Sequence, residues 1–187
     1  LKNVSSKILL TKPSDLTIIK DPDSNGKAVV KILSDYIKEP GAKGVYLYGS
    51  GGTGKSTLMG FLIRCLVTKG YQCGYIHFPT FLMDIKASFG NEGINNSIEL
   101  MKNLEYLVID DVGGENVTPW SRDEILSSVI AYRLQNQKAT FFTSGYSLER
   151  LKKIYTLKAS DKENVERLIS RMKAISTAVE LKGRDLR

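Results

Sequence analysis

Eight residues, Gly49-Ser-Gly-Gly-Thr-Gly-Lys-Ser56, fit the spacing G-x-x-x-x-G-K-[ST]. In this pattern glycines let backbone N–H groups wrap a polyphosphate without Cβ obstruction. Gly49, Ser50, Gly51, Gly52, Thr53, Gly54 and Thr57 would then line the loop. Lys55 would reach the β and γ phosphates, and the Ser56 hydroxyl would ligate Mg²⁺. Farther on, Leu104-Glu-Tyr-Leu-Val-Ile-Asp-Asp111 is an apolar run ending in two adjacent carboxylates, the Walker B arrangement when it lies downstream of a phosphate loop. Successive strand residues point to opposite sides, so the two acids cannot do the same job. Asp110 would hold the Mg²⁺ shell; Asp111 would accept a proton from, or orient, the water attacking the γ-phosphate. A third polar strand end, Thr143-Ser144 after Lys138-Ala-Thr-Phe-Phe, falls where another nucleotide-facing group is needed.

These groups need a scaffold that brings separate strand ends together. Residues 44–49 read as a strand into the loop and residues 55–68 as a helix out of it, with N–H groups and macrodipole aimed at the phosphates. Strands are also expected at 73–78, 104–111, 138–144 and 175–181, and helices at 28–39, 79–88, 94–103, 118–134, 147–155 and 161–173. Strands alternating with helices give an α/β P-loop fold, a five-stranded parallel sheet flanked by helices on both faces. The ligand then belongs at the carboxyl ends of the strands. Residues 1–27, broken by Pro13, Pro22 and Gly26, read as an N-terminal linker, and residues 28–187 as a single domain. Thr118-Pro119 and Ser147 read as helix starts, and Asp161 as the cap of the last helix.

Of the net charge of +7, +6 lies between residues 150 and 187, where eleven Lys and Arg face five Asp and Glu. That segment is either a solvated helical face or a surface for nucleic acid or nucleotide phosphates. Cys65 and Cys73 sit in apolar company and read as small core residues rather than a disulfide or metal pair. His77, the only histidine, reads as a polar strand end rather than a base; Phe78, Phe81 and Phe89 read first as core residues, and would stack nucleic-acid bases only if exposed near Lys86. No apolar run reaches membrane-span length and the start lacks a signal-peptide layout, so a cytoplasmic location is expected.

Together, Gly44-Val-Tyr-Leu-Tyr-Gly with the phosphate loop, Leu107-Val-Ile-Asp-Asp-Val-Gly-Gly-Glu115, Trp120-Ser-Arg-Asp-Glu124 and Phe141-Phe-Thr-Ser resemble the AAA+ domain of DnaI-type bacterial helicase loaders. The resemblance runs from about residue 10 to the end. It implies an ATP- and Mg²⁺-dependent ATPase of the primosome that helps place the replicative helicase on single-stranded DNA, oligomeric on assembly and monomeric in isolation. It also implies that Arg171, in Glu166-Arg-Leu-Ile-Ser-Arg171, is the arginine finger offered to a neighbour's site, that Ser144 or Thr143 positions water, and that Arg187 is the sensor 2 arginine. Gly145 stands where the family has Asn at sensor 1, and Walker B ends Asp-Asp rather than Asp-Glu. The chain begins with Leu and carries no Cys/His cluster of the zinc-binding kind, so the family's N-terminal helicase-binding domain is expected to lie outside it. A transposition-helper ATPase, a small-substrate P-loop kinase and a non-hydrolysing ATP switch share the same core motifs.

Overall fold

The computed structural model describes residues 17–87 and 91–186. Phe89 and Arg187 therefore lie outside the described residues. After a helical turn at Thr17–Lys20 (α1) and a helix at Gly26–Lys38 (α2) come β1 (Gly44–Tyr48), α3 (Lys55–Thr68), β2 (Cys73–His77), α4 (Phe78–Ala87), α5 (Asn91–Asn103) and β3 (Tyr106–Asp110). A π-helix (Trp120–Ser127) runs directly into α6 (Ser128–Gln135), followed by β4 (Ala139–Ser144), α7 (Leu148–Tyr155), a 3₁₀ turn (Ala159–Asp161), α8 (Lys162–Ile175) and β5 (Ser176–Glu180).

All five strands are parallel, in the order β2-β3-β4-β1-β5. The order matters for chemistry. β4 lies between β1, which feeds the phosphate loop, and β3, which carries the paired acids, so three strand ends converge.

Period-2 alternation sorts the strand residues between two cores. Val45, Leu47, Tyr75, Val108 and Phe141 pack with Val29 and Leu33 of α2 and with Leu58, Leu62 and Leu66 of α3. Tyr46, Leu107, Ile109 and Phe142 pack on the opposite face with residues of α4, the π-helix, α6, α7 and α8. The Leu58, Leu62, Leu66 stripe recurs every fourth residue on α3, and burying each leucine contributes roughly 2 kcal/mol. Gly70, at φ 91°, closes α3, with Tyr71 N–H returning to Leu66 O at 3.2 Å.

Several local details depart from expectation. Thr17–Lys20 is helical, with Ile19 against the α3-side core, inside the stretch read as linker. The expected helix at 118–134 begins as eight residues of π-helix, whose Arg122 is buried. Arg122 forms a fork on Asp123 at 2.7 and 2.6 Å, donates to Tyr155 O at 2.7 Å, and meets Asp161 at 3.2 Å. Asp161 does not cap α8 through its side chain; it accepts from Leu157 and Lys158 N–H groups around the 3₁₀ turn. Phe78 and Phe81 are core residues, as expected ahead of base stacking, because α4 packs them against the sheet. Ser147 does cap α7, accepting from Arg150 N–H.

Candidate nucleotide-binding site

The loop after β1 turns on residues with left-handed or otherwise unusual backbone: φ is 149° at Gly49, 73° at Gly52 and 93° at Gly54, which opens α3. L side chains rarely adopt such values, so the motif glycines are required by shape. Thr53 is fully buried and its hydroxyl donates to Ser50 O at 3.0 Å, locking the turn. Ser50 and Gly51 are exposed at the tip, while Ser56 and Thr57 begin α3 half-buried. Lys55 Nζ donates to the carbonyls of Gly49 and Ser50 at 2.8 and 2.6 Å, arching over the cradle.

Across the cradle stands a compact hydroxyl–carboxylate cluster. Ser56 Oγ donates to Asp110 Oδ1 at 2.8 Å, and Thr143 Oγ1 donates to the same oxygen at 2.5 Å. Asp110 is 4% exposed. Thr143 pairs with Leu47, whose side chain faces α3, so Thr143 faces α3 as well. Ser144 pairs with Tyr48 and faces the other way. Its buried hydroxyl donates to Val112 O at 2.6 Å and accepts from Tyr146 N–H at 3.1 Å. Of the two residues expected to position water, the structure brings Thr143 to the acids and turns Ser144 into the core.

The strand ends at Asp110 because Asp111 adopts φ 61°, in the left-handed region. Its N–H is satisfied by Thr143 Oγ1 at 2.9 Å, and its half-exposed carboxylate points out from the sheet. Gly114 is needed at this turn, since a Cβ there would lie 2.2 Å from Asp111 Oδ2. His77 pairs with Asp110 across β2 and β3; its Nε2 is 3.7 Å from Asp111 Oδ2, and its Nδ1 is 2.8 Å from Thr80 Oγ1. From its sequence neighbours His77 reads as a bare strand end; only the register of β2 on β3 sets it beside the acids. Beyond the turn, buried Glu115 accepts from Gly113 N–H and Tyr155 O–H at 2.7 and 2.6 Å. Burial pushes its carboxyl above the ordinary range against the pull of the Tyr155 hydroxyl.

The segment after β5 crosses the same loop. Leu181 N–H donates to Tyr48 O at 2.7 Å, Lys182 N–H to Asn25 Oδ1 at 2.8 Å, Arg184 N–H to Asp21 Oδ2 at 3.3 Å, and Leu186 N–H to Gly52 O at 3.0 Å. Asp185 lies against the loop so closely that a Cβ on Gly52 would meet its Oδ1 at 1.9 Å. Arg171 is half-buried and donates to Ser127 Oγ at 3.1 Å, at the junction of the π-helix with α6, while Arg167 is exposed and pairs with Glu163 at 3.0 Å. Much of the basic segment from residue 150 onward is paired: Lys152 with Glu166, Lys173 with Glu149, Lys182 with Glu180, Arg184 with Asp21. Cys65 and Cys73 are unpaired thiols, and burial pushes Cys73 up to about 11.

Ser56 and Asp110 supply adjacent hard oxygen donors, which suits Mg²⁺, an ion usually held by one or two protein oxygens together with substrate phosphates. Among the described residues no group of three or more His, Cys, Asp or Glu side chains is placed to hold a metal alone, and no helix is long and apolar enough to cross a membrane.

Fold and site together define an AAA+ P-loop domain. No protein-family model matches the chain. It is 31% identical over 162 residues, 85% of its own length, to the replicative helicase loader DnaI of Bacillus subtilis (strain 168), and spans about half (52%) of that relative. It is similar to a crystal structure of DnaI, with TM-score 0.84, 24% identity and coverage of 96% of this chain and 95% of that one. A protein assigned to the primosome of Streptococcus pyogenes serotype M3 is similar too, with TM-score 0.78, 28% identity and coverage of 99% and 93%. Within the AAA+ class the chain is plainly similar to DnaI-type helicase-loader domains.

Proposed function

We propose that this domain binds ATP with Mg²⁺ and hydrolyses it, as the motor of a cytoplasmic helicase loader that helps place the replicative helicase on single-stranded DNA during primosome assembly. The observation that carries the nucleotide reading is the convergence of Ser56, Asp110 and Thr143 beside the Lys55 cradle. Bound Mg²⁺ would supply charge neutralisation between the phosphates. The chain's own residues do the rest. Lys55 exchanges its loop carbonyls for phosphate oxygens, and the loop N–H groups orient the β-phosphate. Ser56 and Asp110 present the metal-facing oxygens, and Thr143 fixes Asp110. Asp111, on its left-handed turn, faces outward to hold the attacking water, with His77 beside it.

In-line attack also needs positive charge on the departing phosphate. Arg171 is assigned that role in trans, from a second copy of this chain in an assembled oligomer; Arg187 is the cis candidate. Gly145, with Ser144 turned into the core, favours a second reading in which hydrolysis is slow and ATP acts as a switch for binding DNA or protein.

Calorimetric titration with Mg²⁺·ATP tests the nucleotide reading. Lys55→Ala loses a charge-assisted phosphate contact and is expected to lose measurable binding while keeping its fold. Retention of wild-type affinity in Lys55→Ala overturns the phosphate-loop assignment.

A further inference from the structure

One buried polar group beneath the site has no partner. Tyr75 is 3% exposed, and among buried side-chain polar atoms of the described residues its hydroxyl alone has no protein partner at hydrogen-bond distance, although Asp110 and Ser56 lie near it. Such an orphan is costly, and its retention calls for a state in which it is satisfied. Its position says what that state involves. Tyr75 pairs with Val108 and shares the α3-side core with it, and Asp110 lies two residues farther along the same face of β3. The phenol therefore sits under the first turn of α3, where Ser56 and Asp110 meet. Burial is the main cause that pushes the phenol well above its ordinary range, followed by the nearby Asp110 carboxylate.

Both hydroxyl donors to Asp110, Ser56 Oγ and Thr143 Oγ1, fall on the single oxygen Oδ1. A carboxylate turns readily about its terminal torsion, which is broad and two-fold. A small turn of Asp110 re-aims an oxygen at Tyr75 without moving the backbone. We propose that Tyr75 is a positioning residue for the metal-facing acid: its buried hydroxyl donates to the Asp110 carboxylate when nucleotide and metal are bound. The inference rests on reading this site as an Mg²⁺·nucleotide site.

Tyr75→Phe removes the hydroxyl and nothing else. Two binding measurements and one stability measurement test the assignment. Without ligand, Tyr75→Phe is expected to melt at or slightly above the wild-type temperature, because an unsatisfied group has gone. Binding of a fluorescent ATP analogue in EDTA is expected to be unchanged. The Mg²⁺ concentration at half-maximal enhancement of that binding is expected to rise about tenfold, the effect of one hydrogen bond to a charged acceptor. An unchanged Mg²⁺ midpoint, whatever the melting temperature, overturns the assignment and leaves the nucleotide reading intact. A wild type whose analogue binding is indifferent to Mg²⁺, or absent, overturns that reading and this inference with it.

Discussion

Thr143 and Ser144 are neighbours with opposite duties, and exchanging each hydroxyl for carbon separates them. Thr143→Val deletes a 2.5 Å donation to Asp110 and the 2.9 Å acceptor of Asp111 N–H. A bond to a charged group contributes about 1.5–3 kcal/mol and a neutral one about 1 kcal/mol, so the loss is about 2.5–4 kcal/mol. For a chain of this length each kcal/mol moves Tm by roughly 2–4 °C, giving a fall of about 5–15 °C. Ser144→Ala deletes two neutral bonds, to Val112 O and from Tyr146 N–H, and should cost about 2 kcal/mol or about 4–8 °C. Stability alone does not distinguish the two variants; the ligand does. With Asp110 held by Ser56 alone, Thr143→Val should bind Mg²⁺·ATP at least about tenfold more weakly, whereas Ser144→Ala, tied only to the core side, should stay within about twofold of wild type. Thermal melts followed by circular dichroism and calorimetric titration of the same samples read both effects. If Ser144→Ala weakens nucleotide binding as much as Thr143→Val, the assignment of the β4 end is wrong.

Two further outcomes follow from the same contacts. The Asp185 carboxylate rests on Gly52, in the loop that must receive phosphates. Asp185→Asn should raise ATP affinity about three- to tenfold at low salt and less at high salt; unchanged or weaker binding would show that the acid does not compete with phosphate. Arg133 is fully buried, and its guanidinium donates to the carbonyls of Met101 and Leu104 at the end of α5, to Ala139 O and to Thr140 Oγ1. Arg133→Met leaves those carbonyls unpaired and should cost more than about 4 kcal/mol by denaturant unfolding, while a loss below about 1 kcal/mol would refute the clamp.

The sequence made the phosphate loop, the five strands and most helices legible because each rests on local spacing: glycines at fixed offsets, apolar runs, and the Leu58, Leu62, Leu66 stripe. What it hid depends on neighbours far along the chain. Thr143 and Ser144 look alike as a pair, and only the pairing of β4 with β1 shows which one faces α3. Asp111 was read as a continuing strand residue, yet the turn built with Gly114 holds it at φ 61°. Arg122 and Arg133 sit in a helical stripe where basic residues suggest solvent, and both are buried because carbonyls from distant elements converge on them. The Asp21-Pro-Asp-Ser-Asn-Gly26 stretch carried dense turn signals, but its role as a clasp for the tail at Lys182 and Arg184 is a long-range fact.

ATP turnover measured across protein concentration, alone and with single-stranded DNA, tests the central claim most directly when wild type stands beside Arg171→Ala. With an arginine supplied in trans, turnover rises more than linearly with concentration in the wild type, and an Arg171→Ala variant loses this rise while keeping its ATP affinity. Turnover strictly proportional to concentration, or an Arg171→Ala variant that hydrolyses like the wild type, would contradict an assembling loader ATPase with an arginine supplied in trans.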